Sequence, residues 1–265
     1  MIKKYIKSLL NDKILPVMNG KLKGLKLRIN KLQQGSVLIR NYEPNKQFAF
    51  LTFLKEGDTF FDIGANVGLH SYFVERCISD VKIYSFEPLP ENVEYIKETI
   101  LLNKLKNINL IESAIGSETK KIYFEIGTNN FQGKITENKT SIEVKLITLD
   151  EFCYSNNIFP NVLKIDVEGA EIDVLQGAIK LIEEKRPIFI IELHIPAKDI
   201  LVSKFLLDNN YEIYTLNDRA KTKSDKLLLS SKNKLSSWPD KDGLKGNIVA
   251  IHKSRMESDY YELIK

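Results

Sequence analysis

From about residue 58 onward, short apolar runs alternate with segments whose apolar residues recur at helical spacing. Thr59–Ile63 is an apolar run closed by Gly64, and its length and punctuation predict a buried parallel strand. Residues 67–78 place Val67, Leu69, Phe73, Val74 and Ile78 at a helical period. Residues 81–86 read as the next strand. Residues 91–102 read as a helix, with Pro90 suited to its first turn. Strands follow at 109–111, 162–165, 188–191, 211–214 and 248–251, with helices at 149–156, 170–183 and 198–208. Two further β runs, 121–125 and 141–146, flank a polar, Asn- and Gly-containing stretch and predict an inserted hairpin-like pair.

Repeated strand–helix units imply right-handed crossovers and a doubly wound, mostly parallel seven-stranded sheet covered on both faces. We divide the chain into an N-terminal extension at 1–39 (a short basic amphipathic helix and a β segment), one α/β domain at 40–255, and a tail at 256–265. Residues 217–246 are rich in Lys, Ser and Asp, and a connection that long is expected to be a lid or acceptor loop. Trp238 is either a sugar-stacking aromatic or a packing anchor.

Composition narrows the classes. Apolar residues make up 43% and charged residues 28% of the 265 positions, which suffices for a packed core. There are 39 Lys and Arg against 35 Asp and Glu, a net +4 that gives no indication of nucleic-acid binding. No run approaches the roughly 20 apolar residues of a membrane span. Two cysteines, Cys77 and Cys153, build neither a disulfide scaffold nor a cysteine zinc site, so a reducing cytoplasm is expected.

Ligands of such folds sit beyond the carboxyl ends of the strands, where the strand order switches. After the first strand comes Asp62-Ile63-Gly64-Ala65-Asn66-Val67-Gly68, running into a helix. Its G-x-x-x-G spacing is not the dinucleotide fingerprint. The carboxylate of Asp62 repels a pyrophosphate but suits a cationic or hydroxylated ligand such as S-adenosylmethionine. A plain tight turn is the alternative. Glu87 of Phe86-Glu87-Pro88, about 20 residues past the glycine loop, is placed to accept ribose hydroxyls. Asp166, Glu168 and Glu171 crowd the end of the fourth strand, where the helix dipole alone explains the last two. Glu192 and His194 share one side of the fifth strand, so the carboxylate is expected to orient the imidazole as a general base.

Together these segments, with Thr148-Leu149-Asp150 and Lys164-Ile165-Asp166-Val167-Glu168-Gly169-Ala170-Glu171, resemble the FkbM family of S-adenosylmethionine-dependent methyltransferases over roughly residues 40 to 252. The resemblance implies a class I methyltransferase (Rossmann-like) fold and O-methylation of a hydroxyl on a sugar, glycan or similar small molecule. It implies a cofactor site of Asp62, Gly64, Ala65, Asn66, Gly68, Glu87, Pro88, Ser113, Ala114 and Asp166, with Glu112 as a possible adenine partner. It puts Asp166 near the transferred methyl group and His194 with Glu192 near the acceptor, and these three form the expected catalytic group.

Either His194 or Asp166 is the expected base. No metal is expected; a divalent ion on Asp166 with Glu168 or Glu192 is the minority alternative. Competing functions are a nucleic-acid or protein methyltransferase and a non-catalytic cofactor-binding partner. A nucleic-acid partner is not expected, because the acidic end of the fourth strand opposes a phosphate backbone. The oligomeric state is not legible.

Overall fold

The computed structural model describes residues 13–29, 38, 42–126, 133–136, 142–216, 222–223, 226–227 and 246–259. An antiparallel pair, β1 (Ile14–Pro16) and β2 (Lys26–Arg28), is followed by α1 (Pro44–Phe53), where Pro44 presets the first turn. The repeating units then begin: β3 (Thr59–Ile63), α2 (Leu69–Cys77), β4 (Lys82–Phe86), α3 (Pro90–Asn103) and β5 (Ile108–Ile111). Next come β6 (Ala114–Ile115), β7 (Lys120–Ile126), β8 (Gly133–Thr136), β9 (Ile142–Ile147) and α4 (Leu149–Asn156). The chain returns to the main sheet through β10 (Val162–Ile165), α5 (Glu171–Gln176), α6 (Ile179–Lys185), β11 (Ile188–Leu193), α7 (Pro196–Asp208) and β12 (Tyr211–Thr215). The short pair β13 (Thr222–Lys223) and β14 (Lys226–Leu227), then β15 (Gly246–His252) and α8 (Lys253–Asp259), complete it.

The main sheet has seven strands in the order β12-β15-β11-β10-β3-β4-β5. Strand β15 runs antiparallel to both neighbours, whereas β11, β10, β3, β4 and β5 pair in parallel. This is the doubly wound, mostly parallel seven-stranded architecture expected above. Because β3 lies beside β10, the chain reverses its direction of travel across the sheet there, and a crevice opens at the carboxyl ends of these strands. Strict alternation covers both faces. Phe60, Val162, Ile188 and Ile190 point into one core with α1, α2 and the β1–β2 pair, while Phe61, Leu163, Phe189 and Ile191 meet α4 to α7 on the other.

The structure departs from the sequence reading in several places. The helix expected over 170–183 is two helices, α5 and α6, broken at Gly177. A Cβ there would lie 2.0 Å from the Gly116 carbonyl oxygen, so the chain bends where it presses on the neighbouring segment. The expected hairpin-like pair, β7 with β9, is part of a four-stranded sheet in the order β6-β9-β7-β8. Helix α1 was not anticipated, and the tail placed from residue 256 begins inside α8, where Met256 is buried in the core. The helix expected at the extreme N-terminus, Trp238 and most of the 217–246 loop lie outside the described residues.

The Thr148-Leu149-Asp150 segment has a structural explanation. Thr148 caps α4 by accepting from the Glu151 amide, and the Asp150 carboxylate accepts the Lys180 and Leu181 amides at the open start of α6 at 2.9 and 2.8 Å. One three-residue motif thereby ties two helices together.

Candidate functional site

The crevice at the β3–β10 switch is a cavity of about 580 Å³. That volume lies within the roughly 300–1,000 Å³ of small-molecule sites. Its floor is the turn after β3. Gly64, Ala65 and Asn66 line it, and the amides of Gly64 and Ala65 both donate to the Phe86 carbonyl at 3.0 Å. Gly64 takes φ 72°, and a Cβ there would lie 2.0 Å from the Asp166 carbonyl oxygen, so a side chain is excluded on both counts. Asn66 also has positive φ, at 53°, and its Oδ1 is buried without a hydrogen-bond partner.

At the tip of β4, Glu87 is 4% exposed and lines the cavity. Its carboxylate accepts from the Asn66 amide at 2.8 Å, the Leu89 amide at 3.0 Å and Asn92 Nδ2 at 3.0 Å. Burial pushes its pKa up to about 7 against those three donors. Pro88, Ser113 and Ala114 continue this wall. Glu112 does not line the cavity; it pairs with the exposed Lys97 at 2.9 Å.

The opposite end gathers Asp166, Glu168, Glu192 and His194. His194 is 19% exposed, and its Nδ1 lies 2.9 Å from Glu171 Oε1, while Nε2 is 3.5 Å from Asp166, 3.6 Å from Glu168 and 3.7 Å from Glu192. The hydrogen bond to Glu171 does most to raise the imidazole pKa to about 9; Asp166 and the other carboxylates add to it against the effect of burial. With Nδ1–H donated to Glu171, Nε2 is the nitrogen left to exchange a proton with the cavity.

Two expected cofactor-site residues lie outside the cavity lining. Asp62 does not line the cavity: it is fully buried, with Oδ2 accepting from Ser71 Oγ at 2.7 Å and Oδ1 lying 3.1 Å from Lys164 Nζ. Its register partner on β10 is Lys164, so the buried charge is neutralised beside it in the sheet. Gly68 is not in the lining either; it carries the chain into α2 at φ 80° against the Tyr72 ring. The orienter of His194 also differs. Glu171 holds the ring, while Glu192 is bonded to Lys46 of α1, because α5 delivers its buried first residue directly beneath the imidazole.

The model of the methyltransferase FkbM domain family matches residues 62–213, more than half of the chain. The chain belongs to this family. It is 30% identical over 152 residues to a hexuronic acid methyltransferase of Haloferax volcanii, covering 55% of this chain and 61% of that relative. It is 25% identical over 140 residues to methyltransferase 1 of Beauveria bassiana, covering 44% and 56%. The chain thus spans about 60% of the length of the curated relatives it matches. A solved FkbM methyltransferase from Methylobacillus flagellatus KT shares 15% identity over 74% of this chain and 44% of that one, with a TM-score of 0.47.

The sequence reading missed Tyr42, Glu43 and Lys46, which precede the matched segment, and His70 and Lys164 within it. The first three arrive with α1, whose Glu-Pro start was the available signal. Lys46 is 1% exposed, with its ammonium 2.8 Å from Glu43, 3.2 Å from Asp166 and hydrogen-bonded to Glu192. Burial opposes its charge, but Asp166, Glu43 and Glu192 raise its pKa. His70 Nε2 lies 2.9 Å from Glu43, and burial lowers the His70 pKa. Lys164 Nζ donates to the Gly64 carbonyl at 2.7 Å, so it also clamps the floor of the cavity. Burial opposes the Asp166 carboxylate, yet Lys164, Lys46 and His194 hold its pKa well below the usual range.

Asp166, Glu192 and His194 each offer an atom within 4.8 Å of the others, a grouping that suits a metal ion. Two of those carboxylates already bind the Lys46 ammonium. Among the described residues, no helix is long and apolar enough to cross a membrane.

Proposed function

We propose that the protein is a cytoplasmic S-adenosylmethionine-dependent methyltransferase that methylates a hydroxyl oxygen of a saccharide or similar small molecule. The observation that carries this reading is one cavity with a buried ribose-type acceptor, Glu87, on one wall and an ionisable His194–Asp166 group on the other. The residues present fit the cofactor. Glu87 suits a pair of ribose hydroxyls, the unpaired Asn66 Oδ1 awaits a donor, and the cluster of acids suits a cationic centre. The hexuronic acid methyltransferase among the relatives supports a saccharide acceptor.

When bound, the cofactor supplies an electrophilic methyl group on sulfur. The chain aligns the acceptor, excludes water and removes the hydroxyl proton. In this reading His194 Nε2 takes the proton, and Glu171 stabilises the imidazolium that results. Asp166 orients the acceptor. With a pKa of about 9, only about one His194 in a hundred is neutral at pH 7, so turnover rises with pH up to that value.

Calorimetric titration with S-adenosylmethionine, followed by labelled methyl transfer to uronic-acid and neutral glycosides at pH 7 and 9, tests the reading. Binding with label in a glycoside is the expected result. Failure of a folded sample to bind the cofactor removes the reading. Binding with transfer only to nucleic acid or protein replaces the acceptor half of it.

A further inference from the structure

Helix α1 precedes residues 62–213, so Lys46 comes from outside the segment matched by the FkbM domain. Its surroundings are unusual for a lysine. The side chain is 1% exposed, and its ammonium faces the carboxylates of Glu43, Asp166 and Glu192, three acids drawn from three separate elements of the fold. An ammonium is rarely buried so fully unless it is neutralised on several sides.

Two of those acids, with His194, form the group whose ligand atoms lie within 4.8 Å of one another. Without a cation, that arrangement concentrates carboxylates in a cavity wall. Their mutual repulsion in a poorly hydrated place favours either splaying apart or taking up a divalent ion. Lys46 opposes both outcomes. It bonds Asp166 and Glu192 simultaneously, and Glu43 completes its hydrogen bonding. Tyr42 and Glu43 on the same segment line the cavity, so α1 contributes wall as well as charge.

We infer that Lys46 is a positioning residue of the acceptor site, a resident cation that locks Asp166 and Glu192 together through Oδ2 and Oε2 and competes with a divalent metal for these carboxylates. The acceptor end therefore carries a cation of its own, and it depends on a helix outside the recognised domain. The link to an acceptor rests on the methyltransferase reading above; the occupancy of the cation position does not.

The test is a Mn²⁺ titration of the 265-residue chain, read as loss of the free-ion electron paramagnetic resonance signal. It is run on the wild type, Glu192→Gln, Lys46→Ala, Lys46→Arg and Lys46→Ala/Glu192→Gln, with circular dichroism as the folding control. Wild type and Lys46→Arg are expected to show no tight Mn²⁺ site. Lys46→Ala should bind at least about tenfold more tightly once the like charge is gone, and the double variant should lose that gain. Tight Mn²⁺ binding by the wild type, abolished by Glu192→Gln, overturns the inference even if Lys46→Ala does not fold. A folded Lys46→Ala that gains no affinity overturns it as well. Cofactor titration of the same samples separates the two readings: absent cofactor binding with the expected Mn²⁺ pattern rejects the methyltransferase function but keeps the role of Lys46. For the acceptor, Lys46→Ala should lower kcat with cofactor affinity within about threefold, and Lys46→Arg should restore part of the loss. Unchanged kcat overturns the positioning role.

Discussion

Lys164 gives the sharpest test of how the sheet builds the site. It stands beside Asp62 in the parallel register of β10 and β3, and both side chains are buried. Burial disfavours the ammonium, but Asp62 and then Asp166 more than offset this and raise its pKa. Replacement by Met keeps most of the volume and removes the charge. Asp166 retains Lys46 at 3.2 Å, so it keeps a counter-cation, whereas Asp62 retains only the Ser71 hydroxyl at 2.7 Å. Leaving one member of a buried pair uncompensated costs about 3–5 kcal/mol. For a chain of this size that is a fall in Tm of roughly 6–20 °C. The Lys164→Met/Asp62→Asn double variant removes the stranded charge while an amide oxygen still accepts from Ser71. Its Tm should recover at least about half of the loss, as a buried pair removed together costs far less than one broken. The assay is thermal unfolding by circular dichroism at pH 7, with cofactor titration alongside, because Lys164 also holds the Gly64 carbonyl. A single-variant drop below about 3 °C, or a double variant no more stable than the single, refutes the reasoning.

Other outcomes follow from the same geometry. Glu87→Gln should weaken S-adenosylmethionine binding by about 10–100-fold, the worth of hydrogen bonds to a charged group. Ribose hydroxyls favour the ionised carboxyl, whose pKa burial raises to about 7, so calorimetry should show wild-type affinity falling as pH drops below 7 and a flat profile for the variant. His194→Ala should lose the alkaline rise in turnover that continues to about pH 9; a flat wild-type profile instead assigns the base to Asp166. Because the folded His194 pKa lies above its ordinary value of 6.5, its stabilisation is complete below about pH 6.5 and is lost as pH rises through 9, which unfolding curves of His194→Gln should no longer show. Gly64→Ala places a Cβ 2.0 Å from a carbonyl oxygen at φ 72°, so strain and overpacking should cost about 2–4 kcal/mol in thermal melts and abolish cofactor binding.

The sequence by itself determined the alternation of strands and helices that builds the main sheet from β3 onward, because apolar spacing and glycine punctuation are local properties. It also placed acids at the tips of β3, β4 and β10 and a His one residue past the end of β11, since strand ends can be read from where an apolar run stops. Gly64, Ala65, Asn66, Glu87, Pro88, Ser113, Ala114, Asp166, Glu192 and His194 all line the cavity. Which acid serves which partner was decided only by tertiary structure. Lys164 meets Asp62 because β10 pairs with β3 across a separation of about a hundred residues, and that register turned a presumed ligand contact into a buried ion pair. Glu171 reaches His194 because α5 starts beneath the end of β11, although strand alternation favoured Glu192. Lys46 enters from a helix whose short apolar pattern carried no hint of its destination. Charge pairing acts over a few ångströms of space while sequence periodicity acts along the chain, so the roles of these ionisable groups appear only once the strands are in order.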